Sequence, residues 1–237
     1  MMLENKTAVI YGAGGAIGGA VGRAFAREGA RVVPTRRAEV DALDERAVRE
    51  HLDSVGRVDI SFNAIGPGPA AERLPLTELT PDAFARPIDF YTRANFITAT
   101  AAARVMSAQG SGVILTLTAV PGRSPARLVG GQAPAWAAVE AFTRSLALEV
   151  GPAGVRVVCL RAHAIPETPL IEHNFATAAE AAGVEPAEFQ ALLEQGTLLK
   201  RLPTLDQVAD TAAFLASDGA GAMTATVANL SAGSITD

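Results

Sequence analysis

The chain has 237 residues, of which 49% are hydrophobic and 19% are charged, and its formal net charge is −5. This length is compatible with one large domain or two small ones, and we predict a single domain. The composition excludes a disordered chain. Because Lys and Arg are scattered through an acidic chain, neither nucleic acid nor a membrane surface is predicted as a partner.

The cysteine content and the N-terminus indicate the compartment. The single cysteine, Cys159, lies in an apolar run, cannot form an internal disulfide and fits a reducing environment. The apolar run near the N-terminus has only the length of a strand, and no stretch of the chain approaches the ~18 residues of a membrane-spanning helix. We therefore expect a soluble, cytoplasmic protein.

Short β-branched runs alternate with longer Ala-rich helical patterns, which is typical of βαβ units and a mainly parallel sheet. The predicted strands are 7–11, 31–34, 58–63, 112–117, 156–160 and 226–230. The predicted helices are 16–28, 46–54, 81–108, 135–150, 186–195 and 205–217. Residues 166–203 contain two helical patches among Pro166, Pro169, Pro186 and Pro203. We predict an irregular flap over the sheet there, within the same domain.

A glycine-rich turn follows the first predicted strand and leads into the first helix. Small residues in such a turn let the backbone approach a pyrophosphate, and the helix N-terminus offers free N–H groups and the positive end of its dipole. The turn therefore predicts phosphate or dinucleotide binding. The alternative is that the glycines serve only tight helix–strand packing. The residues concerned are Gly12, Gly14, Gly15, Ala16, Ile17 and Gly18.

This turn and several later motifs resemble those of the short-chain dehydrogenase/reductase family. Gly12 and Gly18 match the family's Thr-Gly and its last glycine, with Ala16 at the middle glycine. Asn63 and Ala64 match the two asparagines of the family's Asn-Asn-Ala-Gly strand end. Further matches run from 201 to 233, so the resemblance covers nearly the whole chain. It implies a Rossmann-like, doubly wound parallel sheet in one domain, 1–237, and a nicotinamide-dependent oxidoreductase.

The connection after the second predicted strand is shorter than in the family, which has a helix and a third strand there, ending in an Asp against the adenine. Only residues 38–40 separate Arg37 from Asp41-Ala42-Leu43-Asp44, which resembles that Asp motif. Three residues span ~10 Å, whereas a crossover to a parallel strand needs a dozen or more residues. We therefore predict about six strands, with the second strand at the edge and with Asp41 and Ala42 beside the cofactor.

Arg36 and Arg37 bear on the choice of cofactor. They follow the second strand, where a basic residue near the 2′-phosphate sets the family's preference for NADP. No acidic residue closes that strand, as NAD binding would favour. The resemblance therefore implies NADP(H), with NAD(H) not excluded, and the competing interpretation is a solvated pair of arginines.

The family's four catalytic positions hold other residues in this chain. The family uses a Tyr as acid/base, a Lys four residues later, a Ser and an Asn. Residues i and i+4 share one helix face, so the ammonium of the Lys favours the ionised phenol. Neither Gln nor Trp titrates near neutral pH, and we predict that the ordinary proton transfer is absent. In the order Tyr, Lys, Ser and Asn, the positions hold Gln132, Trp136, Ala119 and Tyr91.

Other residues are candidates for the missing chemistry. His163, in the loop after the fifth predicted strand, has a pKa range that suits acid/base catalysis, although a structural role is the competing interpretation. Tyr91, Gln132 and Thr118 are lesser candidates that packing or pocket lining also explains. Thr168 matches a family Thr that contacts the cofactor carboxamide. Metal-ligand spacing is absent from the sequence.

Three functions fit these observations. The first is an oxidoreductase that keeps NADP(H) and transfers hydride to or from a small, largely hydrophobic carbonyl-type substrate. The second is a non-redox isomerase, lyase or cyclase built around His163, Tyr91 and Gln132. The third is a catalytically silent pseudoenzyme that binds a partner subunit. The apolar flap residues that suggest a hydrophobic ligand are Leu170, Ile171, Phe175, Phe189, Leu192 and Leu193.

Under all three functions we expect a homo-dimer or homo-tetramer. The family assembles through the two long helices that correspond here to 81–108 and 135–150, and their Ala-rich faces suit close packing between subunits.

Overall fold

The computed structural model describes residues 1–66 and 73–236. Within these ranges one sheet of six parallel strands has the order β2-β1-β3-β4-β5-β6. The strands are β1 (Thr7–Tyr11), β2 (Arg31–Thr35), β3 (Ile60–Asn63), β4 (Gly112–Ala119), β5 (Val155–Ala162) and β6 (Thr226–Leu230). The α-helices are α1 (Ala16–Arg27), α2 (Glu45–Val55), α3 (Pro81–Gln109), α4 (Gln132–Val150), α5 (Pro169–Ala182), α6 (Pro186–Gln195) and α7 (Leu205–Ala216).

Helices cover both faces of this sheet, which confirms the predicted Rossmann-like α/β class. Side chains alternate between the faces of a strand. Ala8 and Ile10 of β1 accordingly pack with α1 and α7, whereas Val9 and Tyr11 pack with α2 and α3. The four inner strands bury both faces and are apolar nearly throughout, whereas the edge strands β2 and β6 are partly exposed.

The strand order reverses between β2 and β3, which both pair with β1. In open α/β sheets, ligands bind outside the carboxyl ends of the strands at such a switch point. The turn after β1 and the loop after β3 both leave this edge, so the fold itself brings the glycine-rich turn and the Asn63 motif together.

The predicted shortcut after β2 is confirmed. β2 ends at Thr35 and α2 begins at Glu45, with only turns between them, so β2 is an edge strand. The backbone N–H of Arg31 donates to the carbonyl of Lys6 at 2.8 Å. The backbone N–H and C=O groups of the even-numbered residues of β2 therefore face the open edge of the sheet, away from β1. Position 34 is one of these residues, and as a proline it has no N–H to present at that edge. A proline at that place protects an edge strand against pairing with another chain.

The flap after β5 is more regular than predicted. Pro169 and Pro186 are the first residues of α5 and α6, where a helix tolerates proline because the N–H would have no partner within the helix. The prolines thus mark helix starts: α6 confirms the helix predicted over 186–195, and α5 is the other helical patch, for which no bounds were predicted. Phe175 and Phe189 pack edge to face, with ring centroids 5.8 Å apart, and hold the two helices together.

α4 begins at Gln132, three residues before the predicted start. Pro134 suggested a later beginning, but it lies in the first turn, where its missing N–H costs nothing. Gln132 is consequently the first residue of the helix. Among the described helices, none combines the length and apolar character that crossing a bilayer requires.

Candidate functional site

The glycine-rich turn is packed closely against the end of β3. Gly12 has a φ of +79°, and a Cβ on this residue would lie 2.9 Å from the carbonyl oxygen of Ala64. A Cβ on Gly18 would lie 2.3 Å from the carbonyl oxygen of Gly12. Both positions therefore require glycine, and the close approach sets the path of the backbone into α1.

The N-terminus of α1 is open at this turn. Gly15 is the N-cap and has no side chain to accept from the first N–H groups of the helix. Gly14 and Gly15 are exposed, and Ala16 and Ile17 are half-buried. A helix N-terminus whose N–H groups meet no capping side chain is a site for an anionic phosphate. The turn thus fits the pyrophosphate of a dinucleotide.

Asn63 has a positioning role at the end of β3. Its Nδ2 donates to Thr98 Oγ1 of α3 at 2.9 Å, and its Oδ1 accepts from the N–H of Ile65 at 3.0 Å. The buried side chain therefore fixes the backbone of residues 64–66 to α3. The resemblance predicts that Asn63 and Ala64 lie at the cofactor site, and the structure places the Ala64 carbonyl against Gly12 of the glycine-rich turn.

The two arginines after β2 each have a carboxylate partner. Arg36 lies beside the turn, with its Cδ 3.8 Å from a Cβ built on Gly14. Glu39 accepts from the Arg36 backbone N–H at 2.9 Å and pairs with its Nη1 at 3.3 Å, which lowers the pKa of Glu39. Arg37 and Asp41 pair at 3.5 Å. All four side chains are exposed, so either arginine could leave its carboxylate for an anionic ligand at little cost.

Ala42, assigned with Asp41 to the cofactor by resemblance, is buried in the core between the sheet and α2. Its neighbour Asp41 accepts from the N–H of Leu43 at 3.0 Å. These contacts shape the turn that replaces the family's edge unit.

Tyr91 and Trp136 lie against each other, and Gln132 lies about one turn before Trp136 on α4. The rings of Tyr91 and Trp136 have centroids 6.0 Å apart, and Tyr91 packs with Ala135 in the same small cluster. A Cβ on Gly66 would lie 3.6 Å from the Tyr91 hydroxyl, which places that oxygen beside the loop after β3. Two of the substituted positions, 91 and 136, are therefore neighbours in the structure.

The Tyr91 hydroxyl is a neutral group in this site. Burial raises the pKa of Tyr91 to about 12, and the nearby Trp136 indole, a hydrogen-bond donor, acts in the opposite direction. Without a cation at position 136, nothing favours a phenolate as a Lys would. Tyr91 thus offers an O–H donor at neutral pH, and Gln132 adds a buried amide.

Thr118 lies below the site instead of lining the cleft. The hydroxyl of this buried residue donates to Glu140 Oε1 at 3.0 Å and lies 3.3 Å from the Cys159 sulfur. Ala119 follows it on the other face of β4. The structure therefore gives Thr118 a place in a buried network, which agrees with the packing role that the sequence analysis named as its alternative.

The centre of this network is an ion pair that the sequence analysis missed. Arg161 Nε donates to Glu140 Oε1 at 2.8 Å, and Arg161 Nη2 donates to Glu140 Oε2 at 2.7 Å. The side chains are only 4% and 5% exposed, respectively. Two parallel hydrogen bonds are the strong geometry for a guanidinium and a carboxylate. The sequence signal that could have predicted this pair is an arginine within an apolar strand, because a buried cation requires a buried partner.

His163 lies directly after β5, with its backbone N–H bonded to the carbonyl of Leu230. The N–H of Ala164 donates to His163 Nδ1 at 2.6 Å. Because Nδ1 is the acceptor, the hydrogen of the neutral ring lies on Nε2. Burial lowers the pKa of His163, so the ring is a neutral donor at pH 7 and not an imidazolium acid.

Thr168 is buried at the N-cap of α5, where its hydroxyl donates to the carbonyl of Ile165 at 2.9 Å. This bond holds the turn between β5 and the flap. The hydroxyl oxygen keeps its acceptor capacity, which an amide N–H of a ligand would need.

Comparison with known proteins agrees with this geometry. A family model described as enoyl-(acyl carrier protein) reductase matches residues 35–234. Galactitol 2-dehydrogenase of Rhizobium johnstonii is 30% identical over 98% of this chain and 95% of that protein. The cis-4-hydroxycyclohexanecarboxylate dehydrogenase of Sinomonas cyclohexanicum is 29% identical over 91% of this chain and 90% of its own length. The chain belongs to the short-chain dehydrogenase/reductase family of oxidoreductases.

A solved structure has the same fold. The crystal structure of NAD+-bound xylitol dehydrogenase superposes with a TM-score of 0.89 at 22% sequence identity, covering 98% of this chain and all of that chain.

Breaking the buried ion pair is expected to destabilise the protein strongly. Glu140→Gln leaves the Arg161 charge without its carboxylate and is expected to lower the free energy of unfolding by about 3–5 kcal/mol. Urea unfolding measures this change. In the double variant Glu140→Met/Arg161→Met both charges are gone, and the loss should be smaller than the sum of the two single losses. Additive losses would show that the pair is not coupled.

Two half-buried histidines, His51 and His163, are expected to make stability depend on pH. Burial lowers the pKa of both His51 and His163 from 6.5. The unfolded chain therefore binds more protons, and the free energy of unfolding should fall as the pH drops below about 6.5. Unfolding at pH 7.5 and 5.5 tests this, with His163→Gln expected to show a smaller fall. An unchanged fall in that variant would contradict a lowered pKa at His163.

Proposed function

We propose that the protein is a nicotinamide-nucleotide-dependent oxidoreductase whose site works without the family's Tyr and Lys. Its substrate is a small, largely hydrophobic carbonyl compound or the corresponding alcohol, and its preferred cofactor is NADP(H). The observation that carries the proposal is the open N-terminus of α1 behind Gly12 and Gly18. The uncapped Gly15 and the close packing at Gly12 and Gly18 support dinucleotide binding, and the sequence has Gln132 and Trp136 at the positions that correspond to the family's Tyr and Lys.

The preference for NADP(H) is supported by Arg36. Its side chain lies next to Gly14, beside the turn that would hold the pyrophosphate, and its ion pair with Glu39 is exposed. Exposed ion pairs contribute little free energy, about 0–1 kcal/mol. A 2′-phosphate would therefore displace Glu39 from Arg36 at little cost, whereas an unphosphorylated ribose would leave Glu39 in place as an acceptor.

The chain's own residues would orient the substrate by hydrogen bonds. A bound nicotinamide supplies or accepts the hydride. Tyr91 offers a neutral O–H and His163 a neutral Nε2–H, and both can donate to a carbonyl oxygen. Since neither group titrates near pH 7, the proton that completes a reduction would come from water. We therefore propose a slower, less pH-sensitive reaction than an ionising Tyr–Lys pair allows.

The names of the relatives agree with a secondary alcohol or ketone as the substrate. One of them acts on galactitol and another on a hydroxycyclohexanecarboxylate, each by its name a dehydrogenase. The second also suits the apolar flap proposed to shape the pocket.

A non-redox enzyme or a silent binding protein is the second candidate. It is favoured by Trp136, whose indole occupies the position from which the family's Lys holds the nicotinamide ribose. The residues of such a non-redox site would be His163, Tyr91 and Gln132. Nucleotide binding distinguishes this candidate from the first, because only the first requires it.

Titration with NADPH and NADH by calorimetry tests the proposed function. We expect a dissociation constant for NADPH in the micromolar range, with weaker binding of NADH. Gly15→Asp should abolish binding, because the new carboxylate would accept from the N–H groups at the start of α1 and repel the phosphate that binds there. The same carboxylate should stabilise α1 as an N-cap. Gly15→Ala, without that charge, is the matched control and should keep binding. Arg36→Gln should weaken NADPH binding more than NADH binding. Failure of the wild-type protein to bind either nucleotide would reject the proposal.

We also propose that the protein forms a homo-dimer or homo-tetramer through α3 and α4. Phe96 of α3 is 53% exposed and stacks beside Phe142 of α4, and Leu148 of α4 is 81% exposed. Sedimentation of the wild-type protein should show the oligomer, and Phe96→Asp should shift it toward the monomer. Leu192→Asp, on the exposed side of α6, is the control that should leave the oligomer intact. A monomeric wild-type protein would contradict this proposal.

A further inference from the structure

A hydrogen bond connects the segment after β3 with the flap after β5. Arg73 Nε donates to Asn174 Oδ1 of α5 at 3.0 Å. Both segments leave the carboxyl edge of the sheet, and the strand between them, β4, leads into Gln132 and Trp136. The Arg73 side chain therefore links two segments that both leave the edge of the sheet at which a substrate would bind.

Arg73 is a cation in an unusual environment. It is half-buried, and burial lowers the pKa of its guanidinium. Among the described residues, its Nη1 and Nη2 meet no carboxylate, although ten other cations of the chain form ion pairs. A partly desolvated guanidinium with no anion is costly, and an incoming oxyanion would remove that cost.

We propose that Arg73 binds an oxyanion of the substrate, a carboxylate or a phosphate, through its two Nη groups. Because Asn174 of the flap accepts a hydrogen bond from Nε, it orients the guanidinium and leaves Nη1 and Nη2 to bind the oxyanion. The inference deepens the proposed function by adding an anionic group to the small, largely apolar substrate. It also gives the flap a task, because α5 supplies the residue that orients the cation.

The charges around the cleft agree with an anionic ligand. The connection from β4 to α4, residues 120–131, contains Arg123 and Arg127 and no acidic residue. Both arginines are exposed and form no ion pair with a described carboxylate. The connection after β4 therefore carries two positive charges and no negative one, although the chain as a whole is acidic, and its field would attract an anion.

The experiment compares the binding of benzoate, phenyl phosphate and neutral benzamide to the full chain, by calorimetry and without nucleotide. We expect at least one anion to bind more tightly than benzamide. Arg73→Gln should weaken anion binding about 10-fold or more and leave benzamide unchanged, since a hydrogen bond to a charged group is lost. The two anions distinguish a carboxylate site from a phosphate site.

Asn174→Asp is the second variant. It keeps Arg73 but places a carboxylate against Nε, and it should also weaken anion binding because the guanidinium is then neutralised. Arg144→Gln, an exposed arginine on α4, is the control. The thermal unfolding of each variant shows whether it is folded, and Arg73→Lys replaces Arg73→Gln if the latter unfolds, with weakened but detectable anion binding expected.

Two results would overturn the inference: wild-type protein that binds neither anion in preference to benzamide, or anion binding that Arg73→Gln and Arg73→Lys leave unchanged. Because nucleotide is absent from the experiment, Arg73-dependent anion binding can stand even if neither NADPH nor NADH binds. Failure here is thus separate from failure of the proposed function.

Discussion

The buried pair of Glu140 and Arg161 is the constraint on which the arrangement of the site depends. It joins α4 to β5, and Thr118 of β4 donates to the same carboxylate, so three elements meet at one group. Two charges removed from water are tolerated only when their hydrogen bonds are satisfied, which leaves the helix little freedom to shift or rotate. Gln132 and Trp136 lie about two turns and one turn, respectively, before Glu140 on the same helix, so the pair determines where they lie.

The site above this pair is built from neutral donors. Burial raises the pKa of Tyr91 and lowers that of His163, and each shift keeps its side chain uncharged at neutral pH. The positive charges lie farther out, on the segments after β3 and β4. This division places the charge where a substrate would be recognised and leaves the reacting centre to hydrogen bonding. It differs from an ionising Tyr–Lys pair, in which one cation serves both cofactor and catalysis.

Most of the fold follows from the sequence because it rests on local signals. The bounds of β1 and β6 match the prediction, and the three residues 38–40 correctly exclude an edge strand because chain length sets a geometric limit. The start of α4 was predicted three residues late and the bounds of α5 were not predicted, although the predicted bounds of α6 match the structure. At the site, the resemblance predicted which positions meet. It did not predict the role of Thr118 or the Glu140–Arg161 pair, because the partners are 21 residues apart in sequence and meet only through the fold.

Trp136 has a consequence for observing this protein. It is the only tryptophan of the chain, and it lies in the site against the Tyr91 ring. The intrinsic indole fluorescence of the protein therefore comes from Trp136 alone, which lies where ligands would bind. The substitution that removes the family's cation thus leaves a built-in optical reporter, which distinguishes events at the carboxyl edge from unfolding elsewhere without any attached label.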